Sequence, residues 1–341
     1  MLYYIQIHVI IPYLQPRTVF CDFVTCHHID AKNAASTGFS YYNRIMPMKW
    51  IVTDALAGKT VSQQLRLLGI SQRERRRLRR EATVFCNGER VDFHTLPPRA
   101  AEISLQWAIP ARPPSWHIPL DVRYEDAQYI AVNKPAGMLV HATAKEREKA
   151  LLHALSAYFE RHDADAYPHL VQRLDRNTSG LVLVAKSPQA QHALNRNHLA
   201  SVERTYRALV PGRFFTPYAE ITWPIARCKD RIILREVNLT EGKPAVTYVT
   251  RLAANQQLSY LGIRLKTGRT HQIRVHLSHL GYPLLGDDLY GGSRDILTRQ
   301  ALHAATLTFM QPYTGQTVRV SAPLAPDMNA VLERHLSHYF R

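Results

Sequence analysis

The pattern of hydrophobic and polar positions divides the chain into an irregular start, a short regular unit and a long regular domain. The first 47 residues show no clear periodicity and contain a turn-forming stretch, "KNAASTG". We interpret residues 1–47 as an N-terminal extension. A proline-rich stretch, "AIPARPPSWHIPLD", interrupts the regular part and is typical of a linker. The pattern therefore predicts a compact unit over 48–107, a linker over 108–120 and a larger domain over 121–341.

The compact unit is predicted to contain two helices followed by strands. "TVSQQLRLLG" has apolar residues at helical spacing, and Gly69 can end that helix. "SQRERRRLRR" predicts a second helix, with Ser71 as N-cap and Glu74 three residues later in a capping-box pattern. "TVFCNGERV" is typical of two strands joined by a tight Asn-Gly turn, and "AEISLQW" predicts another strand.

The larger domain mixes strand and helix patterns. "VRYEDAQYIAVNKPAGMLVHAT" predicts two strands around a Lys-Pro-Ala-Gly turn, and "GLVLVAK" predicts a buried strand. "ALLHALSAYFERH", "SPQAQHALNRNHL" and "RTHQIRVHLSHLG" predict helices, the last ending at Gly281. Further strands are predicted for "RTYRALVPG", "IILREV", "AVTYVTRLA", "SYLGIRLKT", "ALHAATLTFMQ" and "QTVRVSAPL". This mixture favours an α/β (α+β) fold class with a mixed, mostly antiparallel sheet.

Composition adds a preference for a polyanionic partner. The chain has 341 residues, of which 46% are hydrophobic, enough to build a sizeable core. It carries 43 Lys and Arg against 27 Asp and Glu, a net charge of +16, which favours binding to nucleic acid. Because no run of about 18 apolar residues occurs, we expect no membrane span and no membrane partner.

The cysteines point to a reducing compartment. Four cysteines are scattered along the chain, which is typical of reduced thiols in an intracellular protein, and we expect a cytoplasmic location. Cys21 and Cys26 precede His27 and His28, but their spacing is loose and no second ligand pair follows. We therefore predict no metal site.

A dense group of arginines lies on the predicted second helix of the compact unit. Six arginines occur between residues 73 and 80, and Glu74 is the acid among them. A solvated helix face would normally mix charges of both signs. We therefore interpret this group as a phosphate-binding surface, with a solvated face as the alternative. Its candidate RNA contacts are Arg73, Arg76, Arg77 and Arg80.

One carboxylate stands out in the larger domain. In "QRLDRNTSGLVLVAK", Asp175 lies between two arginines and before an aliphatic strand. It is either a structural ion-pair acid or the centre of some chemistry. The chain contains no glycine-rich phosphate loop, no His-Glu-x-x-His and no paired-cysteine zinc motif. Asp287 and Asp288 are adjacent and would point to opposite faces of a strand, so a two-carboxylate glycosidase site is not indicated.

A second basic stretch, "KTGRTHQIRVHLSHLG", offers a partner for that acid. Ile273 lies four residues before Leu277 on a predicted apolar stripe, and Arg274 lies at the edge of the stripe. An arginine in this position tends to be held by an acid or a ligand phosphate, and Asp175 is the natural acid. Lys266 and Arg269 are candidate phosphate contacts.

Four ordered blocks resemble one enzyme family. "RLDRNTSGLVLVAK" is similar to the Arg-Leu-Asp…Thr-Ser-Gly motif of the RluA/RluD-type pseudouridine synthases. "EDAQYIAVNKPAGMLVH" (125–141), "RTYRALVPG" (204–212) and "LKTGRTHQIRVHLSHLGYPLLGDDLYGG" (265–292) resemble the family's other motifs in the same order. The resemblance covers about 120–325, and the compact unit before it resembles the alpha-L type of RNA-binding domain.

The resemblance implies a role for each matched residue. These enzymes cut the bond between uracil nitrogen and ribose, turn the base and rejoin it through carbon. Asp175 matches the catalytic aspartate, which acts either as a nucleophile or as a base on the sugar. Tyr206 matches the tyrosine that stacks on the target base and takes part in proton transfer, and Arg274 matches the residue that pairs with the aspartate. Arg173 matches the arginine that fills the space of the flipped base, and Ile273 fits the apolar wall.

The resemblance also implies the partners. An isomerisation without redox or net hydrolysis needs no cofactor, so none is expected. The expected substrate is structured RNA, ribosomal RNA of the large subunit in the first place and tRNA as the alternative, bound by a monomer. Two other classes stay open: a catalytically silent RNA-binding protein of ribosome assembly and a base-excising glycosidase. Two positions depart from the family pattern, because Gln172 replaces a common His and Arg204 a common Lys.

Overall fold

The computed structural model consists of two compact units, residues 1–111 and 112–341. The residues that the structure describes are 45–70, 72–108, 113–143, 149–163, 166–195, 202–229, 231 and 233–337. Residues 1–44 of the predicted extension, which include the cysteine and histidine pairs, lie outside these ranges. No helix in the described part of the chain is long and apolar enough to span a membrane.

The first unit is a four-stranded antiparallel sheet with two helices, and its strand order is β1-β4-β2-β3. Its elements are β1 (Ile45–Ile51), α1 (Val61–Leu67), α2 (Gln72–Glu81), β2 (Ala82–Cys86), β3 (Glu89–Val91) and β4 (Glu102–Ala108). The core between helices and sheet contains Val61 and Leu65 of α1, Leu78 of α2 and Ile103 of β4. Strand β1 therefore begins before residue 48, where the sequence pattern placed the start of the unit.

Local signals in the sequence explain the ends of these elements. Thr60 caps α1 in a capping box, because its Oγ1 accepts from the Gln63 N–H at 3.2 Å while Gln63 Oε1 accepts from the Thr60 N–H at 2.9 Å. The predicted hairpin is confirmed: Asn87 and Gly88 have φ of 51° and 86° and join β2 to β3. The predicted N-cap of α2, Ser71, lies outside the described residues.

The second unit contains a ten-stranded sheet with the order β10-β13-β14-β9-β15-β8-β6-β5, to which β16 and β7 are added beside β15 and β8. Every described strand pair is antiparallel except β15 with β8. The strands of this sheet are β5 (Val122–Glu125), β6 (Tyr129–Lys134), β7 (His169–Leu170), β8 (Ser179–Ala185), β9 (Val202–Pro211), β10 (Tyr218–Ile221), β13 (Thr247–Ala254), β14 (Leu258–Leu265), β15 (Leu302–Met310) and β16 (Thr317–Ser321). A separate short pair consists of β11 (Ile225–Arg227) and β12 (Arg235–Val237). The predicted mixed, mostly antiparallel sheet is confirmed.

Helices cover both faces of this sheet. They are α3 (Leu151–His162), α4 (Pro188–Asn195), α5 (Gln272–His279) and α6 (Pro326–Leu336). Ile273 and Leu277 of α5 pack on Tyr206 of β9 and Ile263 of β14. Helix α6 packs on the other side of β9, where Leu209 points, because neighbouring strand residues alternate between faces. The helix α5 therefore lies on one defined face of the β9–β14 region.

The structure corrects one turn. The sequence pattern predicted two strands around Lys134 to Gly137, but the two strands, β5 and β6, both precede it. The turn between them is set by Asp126, whose Oδ1 accepts from the N–H groups of Gln128 and Tyr129 at 2.7 and 2.6 Å. A carboxylate that caps two amides competes with strand hydrogen bonds, which is why the turn occurs there. Helix α6 was not predicted at all.

Candidate active site

Asp175 lies in the loop between β7 and β8, at the edge of the fully buried strand β8. Its backbone carbonyl accepts from the Thr178 N–H at 3.1 Å, which closes a tight turn. Its side chain is 28% exposed, while the strand that follows is completely buried. The carboxylate is therefore held at the rim of the core and remains accessible.

Gly180 explains why this loop ends in Thr-Ser-Gly. The residue has φ of +107°, and a Cβ on it would lie 2.2 Å from the Ala304 carbonyl oxygen on β15. Only glycine allows the backbones of β8 and β15 to approach this closely at such a φ. The close approach fixes the start of β8, and with it the loop that carries Asp175.

Arg274 of α5 connects Asp175 to the interior. Its Nη1 donates to Asp175 Oδ2 at 3.0 Å, while its Nε and Nη2 donate to Asp287 at 2.8 and 2.7 Å. Its Cζ lies 4.8 Å from the centre of the Tyr290 ring. Burial lowers the pKa of Arg274, but the hydrogen bonds and charges of Asp287 and Asp175 outweigh it and raise the pKa. The guanidinium is a permanent positive charge beside Asp175.

The start of α5 is fixed by side chains and by an unusual backbone conformation. Gln272 Oε1 accepts from the Arg269 N–H at 2.9 Å, and its Nε2 donates to the Val246 carbonyl at 3.0 Å. His271, the residue before the helix, has φ of +57°. A left-handed conformation at a residue other than glycine costs free energy and is kept where the surroundings enforce it. These contacts set the direction in which Arg274 leaves the helix.

His271 is a further neighbour of the carboxylate. Its Nε2 lies 3.8 Å from Asp175 Oδ2, and its Nδ1 lies 2.8 Å from the Tyr290 hydroxyl. The Arg235 backbone N–H donates to that hydroxyl at 3.0 Å. Burial lowers the pKa of His271, partly opposed by the charge of Asp175. A neutral imidazole therefore lies beside the carboxylate of Asp175.

Tyr206 and Ile273 form the apolar side of the site. Both are buried and belong to one cluster, which Leu174 of the Asp175 loop also contacts. Burial raises the pKa of Tyr206, and the negative charge of Asp175 acts in the same direction. The phenol is therefore protonated at neutral pH. The site combines one accessible carboxylate, one fixed cation and one protonated phenol at an apolar wall.

The two arginines next to Asp175 point elsewhere. Arg176 donates through Nε to the Gly137 carbonyl at 2.9 Å, which joins the Asp175 loop to the turn after β6. Lys134 strengthens this joint, because its Nζ donates to the Arg176 carbonyl at 3.0 Å. Arg173 is exposed, and together with burial its charge lowers the pKa of His141, so the two side chains are close. The arginine that donates to the carboxylate of Asp175 is therefore the distant Arg274.

Gln172, where the family often has His, is buried. Its Nε2 donates to the Leu181 carbonyl at 3.3 Å, and its Oε1 has no hydrogen-bond partner among the described residues. Arg204, where the family often has Lys, lies on β9 and its charge acts on Tyr206. Both departures therefore lie beside the site rather than at the carboxylate itself.

The remaining predicted contacts belong to the loop before α5 and to the first unit. Lys266 and Arg269 are exposed on the loop before α5, where Arg269 Nε donates to the Pro244 carbonyl at 2.9 Å. Neither of them has a described contact with Asp175. Arg73, Arg76, Arg77 and Arg80 belong to the first unit.

On α2 those four arginines have the spacing i, i+3, i+4 and i+7, which places their backbone positions on one side of the helix. Arg76 and Arg80 are exposed, and Arg77 Nε lies 3.6 Å from Glu81 Oε2. The side chain of Arg73 lies outside the described residues. Arg79 instead donates to the Ser62 hydroxyl at 2.5 Å, within the unit.

Sequence reasoning missed three contributors: Asp287, His271 and Tyr290. The signal was present, since all three fall in the long block at 265–292. What the pattern could not show is that Asp287 is 1% exposed while Asp288 is exposed and pairs with Arg294. The two acids differ because a 3-10 turn begins between them.

Comparisons with known proteins identify the relatives of this chain. A family model described as RNA pseudouridylate synthase matches residues 128–279. A Bacillus subtilis protein named "Uncharacterized RNA pseudouridine synthase YjbO" is 39% identical over 219 residues, which are 63% of this chain and 76% of that protein. The "Ribosomal large subunit pseudouridine synthase D" of Vibrio parahaemolyticus is 38% identical over 231 residues, which are 63% of this chain and 70% of that protein.

Solved structures show the same fold. The human RNA pseudouridylate synthase domain containing 1 superposes with a TM-score of 0.52 and 28% identity over 62% of this chain and 87% of that chain. Residues 128–279, which the family model matches, include the loop of Asp175, strand β9 and helix α5. The chain therefore belongs to the RluA/RluD-type RNA pseudouridine synthase family, whose members are RNA isomerases.

Proposed function

We propose that this protein isomerises uridine to pseudouridine in ribosomal RNA of the large subunit, with Asp175 as the catalytic carboxylate. The observation that carries the proposal is the pairing of this accessible carboxylate with Arg274 at 3.0 Å beside a buried tyrosine. The choice of RNA is supported by relatives named as large-subunit enzymes, such as the one from Vibrio parahaemolyticus. Modification of tRNA is the alternative outcome of the test below.

The reaction needs one ionised carboxylate and no net oxidation. The bond between uracil N1 and ribose C1′ breaks, the base turns, and a bond between uracil C5 and C1′ forms. The base loses its C5 proton and gains one at N1, so atoms and charge balance. Asp175 starts the reaction either by attack on C1′ or by removal of a proton from the sugar. Both routes require a charged carboxylate, and Arg274 Nη1 donates to this carboxylate at 3.0 Å.

Tyr206 and Ile273 supply the surface against which the base lies. An aromatic ring at the edge of an apolar wall suits a flat base that has left its stack. Because burial raises the pKa of Tyr206, the phenol acts as a proton donor rather than as a base at neutral pH. The exposed Arg173, in the same loop as Asp175, would occupy the space that the flipped base leaves.

RNA binding is assigned to exposed basic residues of both units. We assign residues 48–107 to an alpha-L type RNA-binding domain, followed by a linker at 108–120 and a catalytic domain at 121–341. Arg76 and Arg80 in the first domain, and Lys266 and Arg269 in the second, are exposed cations that suit the phosphate backbone. The protein would act as a monomer in the cytoplasm and needs no cofactor for this isomerisation.

The decisive experiment maps pseudouridine by carbodiimide chemistry in RNA from cells with and without the gene. We expect at least one large-subunit uridine to lose its modification and to regain it when the gene is restored. A change in tRNA alone would replace the proposed substrate, and no change in any RNA would contradict the enzymatic proposal.

A matched pair of variants then tests the role of Asp175. Asp175→Asn should abolish restoration and leave RNA affinity within a few-fold. Asp288→Asn removes an exposed acid that pairs with Arg294 and should behave like the wild type. An Asp175→Asn protein that restores the modification would exclude this carboxylate as catalytic group. Parallel loss of activity and of RNA affinity would show that it is a structural acid.

A further inference from the structure

The face of the sheet opposite to α5 has its own surface chemistry. Tyr206 and Ile263 point toward α5, so their strand neighbours on β9 and β14 point to the other face. On that face Arg264 is opposite Thr205 on β9 and opposite Tyr248 on β13. Helix α6 covers this face around Leu209, Leu258 and Tyr260, and the rest of β10, β13, β14 and β9 presents a surface that the catalytic residues do not use.

This surface contains a shallow depression of about 350 Å³. We call it the rear depression, and it is lined chiefly by Arg207, Tyr218, Tyr248, Leu252, Gly262 and Arg264. Its volume is at the lower end of the range of small-ligand pockets, about 300–1,000 Å³. The depression is therefore large enough for a flat ring rather than for a folded segment.

The rear depression combines aromatic rings with guanidinium groups. Arg264 lies over the Tyr248 ring, with Cζ 4.2 Å from the ring centre. Tyr218, on the edge strand β10, is 54% exposed, and Leu252, on its neighbour β13, is 45% exposed. Rings and guanidinium planes that are open to solvent are the groups on which unpaired nucleobases stack.

Gly262 keeps the floor of the depression flat. It lies between Arg207 and Thr250 in the register of the sheet. A Cβ at this position would lie 3.3 Å from Leu252 Cδ1 and 3.5 Å from Arg207 Nη1. Because Gly262 has no side chain, the space above the sheet between Arg207 and Arg264 stays open.

The charge of the rear depression is positive. Arg207 and Arg264 line it, and within the described residues neither forms an ion pair with a carboxylate. None of the lining residues is acidic, and Glu220 lies beside the depression, opposite Tyr248. A chain of net charge +16 thus exposes cations next to stacking surfaces, which complements a polyanion with exposed bases.

We propose that the rear depression binds a single-stranded segment of RNA outside the target site, with bases on Tyr218, Tyr248 and Arg264 and phosphates near Arg207. A duplex does not fit this role, because its bases are already stacked and paired. The inference rests on the proposed function in so far as the segment belongs to the substrate RNA. The segment differs from the flipped uridine, since Asp175 contacts α5 on the opposite side of the sheet.

The test compares oligonucleotide binding by two matched double variants of the full chain. Tyr218→Ala with Arg264→Ala removes one ring and one cation from the depression. Tyr313→Ala with Arg334→Ala removes an equally exposed tyrosine, also 54%, and an exposed arginine elsewhere. The probes are a fluorescein-labelled uridine oligonucleotide of about 12 nucleotides, within the size range of single-strand sites, and a duplex of similar length.

We expect the rear-face variant to bind the single strand at least about fivefold more weakly, since loss of one stacked base costs about 1–3 kcal/mol. Duplex binding, and single-strand binding by the control variant, should stay within twofold of the wild type. Equal single-strand affinity of the two double variants would overturn the proposal, as would an equal loss for the duplex.

A second measurement uses the wild-type protein, so it does not depend on folding of a variant. Photocrosslinking with a 4-thiouridine form of the same oligonucleotide should give adducts on peptides that contain Tyr218 or Tyr248. Adducts confined to other peptides would overturn the proposal. These readouts do not depend on isomerisation. If the crosslinks form but no uridine in cellular RNA loses its modification when the gene is absent, only the proposed function is contradicted.

Discussion

Asp287 holds Arg274 through two charged hydrogen bonds, from Nε at 2.8 Å and from Nη2 at 2.7 Å. Asp287 is 1% exposed, so this pair is formed in the interior and does not depend on substrate. A bidentate pair fixes the plane of the guanidinium as well as its position. The third nitrogen of Arg274 is thereby directed at the carboxylate of Asp175 before RNA arrives.

We predict that Asp287→Asn slows isomerisation by at least about tenfold, because a mispositioned cation near the reacting atoms can cost that much or more. It should also lower the melting temperature, since it leaves a buried guanidinium without its main partner. Single-turnover rates at saturating RNA test this, with Asp288→Asn as the control. A wild-type rate in Asp287→Asn would show that Asp175 alone suffices to position Arg274.

Tyr206→Phe should separate packing from proton transfer. The ring remains, so the melting temperature should stay near that of the wild type. The protonated phenol is lost, and a positioned proton donor typically contributes about 10²–10⁴-fold to a rate, so we expect a loss in that range. Product formation measured between pH 6 and pH 9 tests this. Full activity of the Phe variant would mean that Tyr206 only packs and stacks.

The sequence allowed prediction of the regular elements that position the site. Strand β8 contains an unbroken aliphatic run and helix α5 has an apolar stripe, and the pairing of Arg274 on α5 with Asp175 in the loop before β8 was predicted. The second partner of Arg274 was not, because the pattern does not show which of two adjacent acids enters the core. Burial of Asp287 depends on a 3-10 turn and on contacts with α5, which are nonlocal.

The turn after β5 shows a second limit. Lys-Pro-Ala-Gly has strong turn residues, yet the hairpin turn is made by Asp126, whose carboxylate accepts two backbone N–H groups. A turn does occur at Gly137, but it does not connect the two strands of the hairpin. The Gly137 N–H instead donates to the Arg176 carbonyl at 2.9 Å, which joins this turn to the loop of Asp175. Local propensity identified the turn and tertiary contacts decided what it joins.

Arg76→Gln with Arg80→Gln should weaken RNA binding in a salt-dependent way. If each arginine contacts one phosphate, the slope of log K against log salt should decrease by about one to two. The turnover rate at saturating RNA should not change, since neither residue belongs to the unit that contains Asp175. Lys49→Gln with Arg90→Gln, in the same unit, is the charge-matched control. An unchanged salt slope would remove this helix from the RNA interface.

Gly180→Ala should be strongly destabilising. The new Cβ would lie 2.2 Å from the Ala304 carbonyl oxygen in a backbone with φ of +107°, so strands β8 and β15 must separate. Steric overlap and the left-handed backbone together should cost about 3 kcal/mol or more. Gly315→Ala is the control, since it has φ of +70° but no atom within 4 Å. Similar urea midpoints for the two variants would contradict the close-approach argument.

His303→Gln should make the free energy of unfolding depend less on pH in acid. His303 is buried on β15, with Nδ1 3.0 Å from the Ser179 hydroxyl. Burial and the positive charge of Arg299 lower its pKa from 6.5 to about 4. Below pH 6.5 the unfolded chain therefore binds a proton that the folded chain does not, and stability falls until about pH 4, by about 3 kcal/mol in total.

Urea unfolding between pH 7 and pH 4.5 measures this dependence. The wild type and a His335→Gln control should lose stability more steeply than His303→Gln over that window, and identical curves would contradict the assignment. Ser179 belongs to the Thr-Ser-Gly stretch that follows Asp175, and Arg299 Nη1 donates to the Asn177 carbonyl at 3.1 Å in the same loop. Protonation of His303 next to Arg299 would therefore loosen the loop that carries Asp175 first, so activity should fall in acid before the fold is lost.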